Sequence, residues 1–247
     1  HLNVRRQRQM CIRDRTDKSL VGITPAMKEG SGMVNFEKEY PERFYDVAIA
    51  EQHSVTFAAG LSLEGLKPVV AIYSTFLQRG YDQFIHDVCL ENIDVTFAID
   101  RAGIVGEDGP THTGSFDISF MRCIPNIVIS CPSNEHELWH LLNICYEHKG
   151  PAAIRYPRGS GIGIQPIPNE VEGFEIGKAK KIKDGKSVCI LNFGVLMDQI
   201  DQIAEKKDYT LYDMRFIKPI DQDALEHAMQ HETCLLYTSP SPRDTVT

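Results

Sequence analysis

The sequence YDVAIAEQH at Tyr45–His53 organises the rest of this chain. A short apolar run, Phe44–Val47, predicts a buried strand, and an apolar helix is expected over Ser54–Leu63. Glu51 stands where the strand gives way to the helix. Ligands bind at the carboxyl ends of the strands of a parallel α/β sheet, so a carboxylate here is well placed for chemistry. The helix dipole alone would also favour an acid at this position.

The composition excludes several classes of protein. The chain has 247 residues, of which 42% are hydrophobic and 24% charged, as in ordinary globular proteins. A formal net charge of -8 and the lack of a basic stripe give no reason to expect nucleic acid. No apolar run reaches the roughly 18–20 residues that a membrane span needs, and no signal peptide is visible. We therefore expect neither nucleic acid nor membrane as a partner.

The cysteines and histidines point to no metal site. The seven cysteines are odd in number, scattered and free of any CxxC pair. This usage suits reduced thiols in a cytoplasm and argues against both a disulfide framework and a zinc site. The nine histidines show no metal-ligand spacing either. We expect a cytoplasmic protein with no metal ligands in this part of the chain.

Apolar strands alternate with helices along the chain. Further strands are predicted at Pro68–Tyr73, Asp94–Asp100, Asn126–Ser130, Ala152–Tyr156, Ser187–Asn192 and Thr210–Met214. Helices are predicted at Gln78–Glu91, Pro132–His148, Val195–Lys206 and Gln222–Gln230, with Ser133 as the N-cap of the second. This alternation predicts an α/β fold whose parallel sheet is covered on both faces.

Changes in composition divide the chain into five parts. Residues 1–15 are arginine-rich and residues 234–247 are rich in Ser and Pro, and RQRQMCIRDR and LLYTSPSPRD within these ends resemble translated sequencing-adapter DNA. The alternative is a disordered arm and tail, and in either case we set both ends aside. Residues 16–159 form the first predicted domain, and the Gly- and Pro-rich residues 160–173 a linker. Residues 174–233 contain too few elements for a complete doubly wound domain, so a partial domain is expected.

Three polar clusters follow successive predicted strands, at 51–53, 73–79 and 100–114. A parallel sheet brings such loops to one edge. Their glycines let backbone approach a ligand closely, and their arginines suit a phosphate or carboxylate. Each residue alone has an ordinary interpretation: Tyr73 and Phe76 as core aromatics, the arginines as solvated, and His112 as a loop residue. Their joint placement favours a functional site.

Five blocks of sequence, in chain order, resemble one family: TPAMKEGSGMVNF, DVAIAEQH, VVAIYSTFLQR, FAIDRAGIVGEDGPTHTG and AAIRYPRG. They resemble the pyrimidine-binding domain of the 1-deoxy-D-xylulose-5-phosphate synthases, which are thiamine diphosphate enzymes of the transketolase superfamily. The acid of AEQH is shared with transketolases and with the beta subunits of 2-oxoacid dehydrogenases. DRAGIVG, DGPTHTG, STFLQR and YPRG are specific to the synthases. The resemblance implies a parallel-sheet pyrimidine-binding domain followed by a partial α/β transketolase C-terminal domain.

The resemblance also implies an activity. These transferases decarboxylate pyruvate on thiamine diphosphate and transfer the two-carbon unit to glyceraldehyde 3-phosphate, which is the first step of non-mevalonate isoprene biosynthesis and supplies thiamine biosynthesis. Glu51 matches the glutamate that hydrogen-bonds the aminopyrimidine ring of the cofactor. Phe76 matches the aromatic residue that stacks on that ring, and Ile49 is a further cofactor contact.

Two groups of residues are implied to act on the substrates. Those that match the binding residues for the phosphate of the aldehyde are Tyr73, Arg101 and Arg158. Those that match positions handling the pyruvate-derived intermediate and its proton transfers are Arg79, Asp108 and His112. The full-length enzymes of this family are implied to be homodimers.

One family motif does not occur in this sequence. The family holds Mg2+ and the cofactor diphosphate with a Gly-Asp-Gly motif and a downstream Asn in an amino-terminal domain. We therefore expect a fragment of a longer synthase, inactive by itself. Two alternatives stay open: the C-terminal subunit of a split transketolase, and a non-catalytic folding unit.

Overall fold

A computed structural model of the chain describes residues 17–159, 161, 174–204 and 208–238. Within these residues the strands, in chain order, are β1 (Leu20–Thr24), β2 (Phe44–Asp46), β3 (Lys67–Tyr73), β4 (Thr96–Asp100), β5 (Val128–Ser130), β6 (Ala152–Arg155), β7 (Lys180–Lys183), β8 (Val188–Phe193), β9 (Tyr209–Asp213), β10 (Phe216–Lys218) and β11 (Thr233–Thr238). The expected leader at 1–15, and all of the expected linker except Gly161, lie outside the described residues.

The α-helices are α1 (Val34–Glu39), α2 (Glu51–Leu63), α3 (Ser74–Leu77), α4 (Tyr81–Gln83), α5 (Asp117–Arg122), α6 (Glu135–Glu147), α7 (Met197–Ala204) and α8 (Gln222–Ala228). Short 3-10 turns lie at Pro41–Arg43, Gln78–Gly80, Gly106–Asp108 and Pro110–His112, and a π-helical turn lies at Phe84–Cys89. In the part of the chain that the structure describes, no helix is long and apolar enough to cross a membrane.

Seven strands form the larger sheet, in the order β10-β5-β6-β4-β3-β1-β2. The pairs among β1 to β6 are parallel, which confirms the predicted α/β class. All residues of β1, β4, β5 and β6 are buried. This is why these strands read as continuous apolar runs, since both faces of a parallel sheet are covered.

Strand β1 was not predicted, although it lies inside the larger sheet, between β2 and β3. Its sequence LVGIT contains Gly22, and a glycine inside a strand weakens the sequence signal. The glycine has a packing reason. A methyl group at Gly22 would lie 3.0 Å from the ring of Phe36, which α1 lays across this strand.

The helix predicted over Gln78–Glu91 begins earlier than expected. The chain turns into α3 directly after β3 and continues through a 3-10 turn, α4 and the π-helical turn to Cys89. Phe76 therefore lies on a helical turn rather than in a loop. This places its ring immediately beyond the carboxyl end of β3.

The predicted N-cap of α6 is wrong. Asn134, not Ser133, caps the helix, because its side chain accepts a hydrogen bond from the backbone N–H of Glu137 at 3.0 Å. The hydroxyl of Ser133 instead donates to Oδ2 of Asp213 at 2.6 Å. Ser133 therefore bonds Asp213, 80 positions away in the sequence, instead of capping the helix.

The smaller sheet has the order β11-β8-β9-β7, with β7 antiparallel to β9 and the other pairs parallel. The structure differs here from the expected tail at 234–247. Residues 233–238 form β11 and pair along their length with β8, because CLLYT is an apolar, strand-forming run. Residues 239–247 lie outside the described part of the chain.

Strand β10 joins the two halves of the chain. It belongs to the residues expected in the second domain, yet it pairs antiparallel with β5 at the edge of the larger sheet. Just before it, Arg215 donates from Nε and Nη2 to the two carboxylate oxygens of Glu137 on α6, both at 2.9 Å. Its guanidinium also lies 3.6 Å from the ring centroid of Phe174. This buried, two-pronged ion pair orients residues 209–218 against the larger sheet.

Candidate functional site

Glu51 is the first residue of α2, directly beyond the carboxyl end of β2. The chain turns sharply between them, with Ala48 in a left-handed conformation (φ 57°). The side chain of Glu51 is only 3% exposed, and Arg79 Nη1 donates to its Oε1 at 2.7 Å. A buried carboxylate needs such a partner, because an uncompensated charge is costly to remove from water. The structure thus pairs Arg79 with the predicted cofactor residue.

An aromatic group lies beside this ion pair. The rings of Tyr73 and Phe76 stack at 5.9 Å between centroids, and the ring of His112 meets Phe76 edge-on at 5.2 Å. The guanidinium of Arg79 lies 4.9 Å from the centroid of Phe76. Thr75 ties the two segments together, because its hydroxyl donates to the backbone carbonyl of Thr111 at 3.3 Å. The loops after β3 and β4 therefore meet as the parallel sheet predicts.

Two arginines share one carboxylate at the other end of the aromatic group. Arg101 Nε and Arg158 Nε lie 2.7 Å and 3.1 Å from Oδ2 of Asp108. The guanidinium of Arg101 also lies 3.8 Å from the ring centroid of Tyr73, and Arg158 Nη2 reaches Glu107 at 3.3 Å. Two guanidinium groups around one acceptor form a site that suits a phosphate or carboxylate.

Ionisation in this cluster is set by its neighbours. Burial acts to raise the pKa of Asp108, but the hydrogen bond and charge of Arg101 and the charge of Arg158 outweigh it and lower this pKa below its ordinary value. Burial raises the pKa of the Tyr73 phenol, with the charge of Arg101 acting in the opposite direction. At neutral pH Asp108 is a carboxylate, and Tyr73 keeps its proton as a hydrogen-bond donor.

Eight of the nine predicted site residues form one connected group through these contacts, and the ninth, Ile49, does not. Ile49 lies two residues before Glu51 with 76% of its surface exposed. Among the contacts of the described residues, none joins Ile49 to the group. Its cofactor contact stays a prediction.

The sequence did not predict the contacts of two glycines that border the group. Gly30 lies against the hydroxyl of Tyr73, and Gly114 lies against the backbone carbonyl of Arg101. Both fall inside sequence blocks that carried the family resemblance, TPAMKEGSGMVNF and DGPTHTG. The blocks were therefore the available signal, but only the packing shows what these positions do.

The described residues contain no group of three or more His, Cys, Asp or Glu side chains that could hold a metal ion. The site offers instead a buried carboxylate, a half-buried aromatic face and a pair of guanidinium groups. It can therefore hydrogen-bond a heterocycle, stack on it and bind an anion close by.

Comparison with known proteins identifies the family of the chain. The family model described as the transketolase pyrimidine-binding domain matches residues 13–161, which is more than half of the chain. The chain belongs to the transketolase family. The model of the transketolase C-terminal domain matches residues 177–243. This transketolase-family chain therefore combines a pyrimidine-binding domain with C-terminal domain sequence.

Curated relatives of this transketolase-family chain include two bacterial 1-deoxy-D-xylulose-5-phosphate synthases. The synthase of Idiomarina loihiensis is 57% identical over 227 residues, covering 92% of this chain and 36% of the relative. That of Francisella philomiragia is 58% identical over 222 residues, covering 90% and 36%. The chain thus spans about a third of the length of these relatives.

Solved structures support the fold alone, because their sequence identities are low. A structure described as a split gene transketolase, an inactive beta4 tetramer, has a TM-score of 0.80 at 24% identity and covers 94% of this chain and 77% of its own. A transketolase from Campylobacter jejuni has a TM-score of 0.73 at 18% identity, covering 96% of this chain and 38% of its own.

Proposed function

We propose that this chain is the pyrimidine-binding and C-terminal part of a 1-deoxy-D-xylulose-5-phosphate synthase. Such an enzyme would decarboxylate pyruvate and transfer the two-carbon unit to glyceraldehyde 3-phosphate. The observation that carries the proposal is the continuous group running from the Glu51–Arg79 pair, across Phe76 and Tyr73, to the Arg101–Asp108–Arg158 cluster. The identity of 57% to a curated synthase supports it.

The residues present suit the pyrimidine end of thiamine diphosphate. This cofactor supplies the carbanion-stabilising chemistry that decarboxylation requires. Glu51 would hydrogen-bond a ring nitrogen from a site shielded from water, and the half-buried ring of Phe76 offers a stacking face. No described cluster suits Mg2+, so we propose that another part of the full-length enzyme holds the metal and the diphosphate.

The guanidinium groups would bind the phosphate of the aldehyde. Arg101 and Arg158 already converge on an anionic oxygen, that of Asp108, so a phosphate could take or share this position with its three acceptor oxygens. The Tyr73 hydroxyl would donate to the same phosphate. Asp108, ionised at neutral pH, would orient the arginines or accept a proton. His112, whose Nδ1 lies 3.0 Å from the Thr111 hydroxyl, would exchange protons through its other nitrogen.

A chimaeric enzyme tests the proposal, with this chain replacing the matching segment of the Idiomarina loihiensis synthase. Glu51→Gln should lower turnover by roughly 10²–10⁴, the scale of a lost acid–base contribution. Glu64→Gln, at the exposed end of the same helix, is the matched control and should leave turnover unchanged. A Glu51→Gln enzyme that keeps near wild-type turnover would contradict the role given to Glu51.

A split transketolase is the second candidate, favoured by the fold match that covers 77% of the split-gene chain. In that case this chain would work beside a separate diphosphate-binding subunit. The donor of the two-carbon unit separates the two candidates: pyruvate for the synthase, with glyceraldehyde 3-phosphate as acceptor, and a ketose for the transketolase.

We propose that the chain is inactive by itself, as a non-catalytic folding unit. We propose also that the full-length enzyme is a cytoplasmic homodimer. Calorimetric titration of the chain with thiamine diphosphate and Mg2+ tests the first point. Tight binding by the chain alone would refute it, and sedimentation of the chimaera tests the dimer.

A further inference from the structure

We propose that Gly30 and Gly114 are positioning residues, which hold the Tyr73–Arg101 pair in place because neither carries a side chain. The identification of the bound anion as the phosphate of an aldehyde rests on the proposed function. The positioning itself rests only on contacts within the chain. The two glycines lie at opposite ends of Arg101. Gly30 lies beside Tyr73 and the guanidinium of Arg101, and Gly114 lies beside the backbone carbonyl of Arg101.

Gly30 leaves room for the aromatic and cationic ends of the pair. A methyl group at Gly30 would overlap the hydroxyl oxygen of Tyr73, and it would lie 2.9 Å from Cζ of Tyr73 and 3.4 Å from Nη1 of Arg101. Real Cβ atoms do not approach other atoms as closely as the two contacts with Tyr73 would require, so either the ring or the loop that carries Gly30 must move.

The loop that carries Gly30 is fixed. The Ser31 N–H and hydroxyl both donate to the carbonyl of Met27, at 2.8 Å and 2.7 Å, and the Met33 N–H donates to the carbonyl of Lys28 at 2.9 Å. The loop is also tied to β3, because the Tyr73 N–H donates to Sδ of Met27 at 3.3 Å. Tyr73 is therefore the part that a side chain at position 30 would displace.

Gly114 acts at the other end of Arg101. Its N–H and carbonyl form a pair of 2.8 Å hydrogen bonds with those of Gly103, which closes the loop that presents Asp108. A methyl group at Gly114 would overlap the carbonyl oxygen of Arg101 and lie 2.7 Å from Cβ and Oγ of the buried Ser74. Because all three of these contacts are with backbone or a buried residue, the bridge between Gly103 and Gly114 would have to open.

Arg101 depends on this support because its own backbone is strained. It has a left-handed φ of 57°, which is unfavourable for a residue with a side chain. Its N–H donates to Oδ1 of Asp100 at 2.6 Å, which holds the turn from one side. Strained backbone persists only where the surroundings enforce it, and the two glycines complete those surroundings.

The test compares three variants of the full chain by NMR: Gly30→Ala and Gly114→Ala, with Gly60→Ala as the control. A methyl group at position 60 meets nothing within 4 Å, and Gly60 lies in the regular part of α2. The Arg101 Nε–H resonance should carry a ring-current shift from Tyr73. We expect this shift to change in the two test variants and to persist in Gly60→Ala.

A titration with inorganic phosphate provides the second readout. Gly30→Ala and Gly114→Ala should each weaken phosphate binding about tenfold, the loss expected when one charge-assisted hydrogen bond is misplaced. Gly60→Ala should bind as the wild type does. In the chimaeric enzyme, the same variants should raise the KM for the phosphorylated aldehyde more than they lower kcat.

A rescue variant separates positioning from a loss of folding. Tyr73→Phe removes the hydroxyl that the Gly30→Ala methyl group overlaps and leaves only the 2.9 Å contact with Cζ, so adding it to Gly30→Ala should move the Arg101 shift toward that of Tyr73→Phe alone. An Arg101 shift that is unchanged in both test variants, or that does not move toward that of Tyr73→Phe in the double variant, would overturn the proposal. A wild-type chain that does not bind phosphate while the shifts behave as expected supports the positioning and counts against the proposed acceptor site instead.

Discussion

Asp213 makes the free energy of unfolding depend on pH in an unusual direction. It ends β9 with its side chain buried, where it accepts hydrogen bonds from the Ser133 hydroxyl at 2.6 Å and the Arg215 N–H at 3.3 Å. Burial raises its pKa to about 6 from an ordinary 3.8, and the negative charge of Glu137 adds to this. The Ser133 bond and the charge of Arg215 only partly oppose the rise.

The size and sign of the effect follow from that shift. A rise of about 2 pKa units corresponds to about 3 kcal/mol, as an upper bound. Because the folded-state pKa is raised, the stabilisation is fully present below the unfolded pKa of about 4 and is lost as the pH rises through about 6. At neutral pH the folded chain therefore carries a poorly solvated carboxylate.

Asp213→Asn removes this titration. The amide can keep the Ser133 bond but places N–H groups near the Arg215 N–H, which costs about 1 kcal/mol. The variant should therefore be less stable than the wild type by about 1 kcal/mol near pH 4 and more stable by up to about 2 kcal/mol near pH 7.5. Urea unfolding of both chains across this range gives the difference, in which other titrating groups cancel.

Asp82→Asn is the matched control, because Asp82 is an exposed aspartate on α4. Its difference from the wild type should stay flat across the same pH range. If the difference for Asp213→Asn is equally flat, or if it favours the wild type at neutral pH, the reasoning about burial is wrong.

Three further predictions follow from particular contacts. Arg158→Ala in the chimaeric enzyme should raise the KM for the phosphorylated aldehyde about tenfold, since one of the two guanidinium groups is lost; an effect confined to the KM for pyruvate would contradict the assignment. Arg155→Met leaves the buried Asp117 without its partner and should cost about 3–5 kcal/mol in urea unfolding, most of which adding Asp117→Leu should recover. Asn134→Ala should cost about 1 kcal/mol through loss of the α6 cap, and an unchanged stability would mean that the cap is not formed.

Local patterns were enough to predict most of the fold. The strands near Pro68, Asp94, Asn126 and Ala152 were predicted because residues buried on both faces leave unbroken apolar runs. The edge strand near Phe44 was predicted from a short apolar run, although only Phe44 of its residues is buried. Strand β1 was not predicted, because Gly22 interrupts its apolar run. A side chain at that position would meet Met33 and the ring of Phe36. The local signal for an N-cap was present at both Ser133 and Asn134, and only the distant Asp213 decided between them.

The candidate site shows the same division. Order along the chain and the direction of parallel strands were enough to predict that the loops carrying Glu51, Phe76 and Asp108 meet at one edge of the sheet. The pairing of Arg79 with Glu51 could not be predicted from the sequence, because a long side chain can reach several partners from the same backbone position. The exposure of Ile49 was likewise not readable from its neighbours.

By itself, then, the sequence determined the α/β class, the resemblance to the transketolase family and the residue types of the site. These depend on local periodicity and on short motifs. Only the tertiary structure decided that β10 pairs with the larger sheet, that Arg215 forms an ion pair with Glu137, and that Gly30 and Gly114 lie against the Tyr73–Arg101 pair. These features depend on which residues, distant in sequence, come into contact. A glycine that is required because a neighbour leaves no room for a side chain gives no local pattern in the sequence.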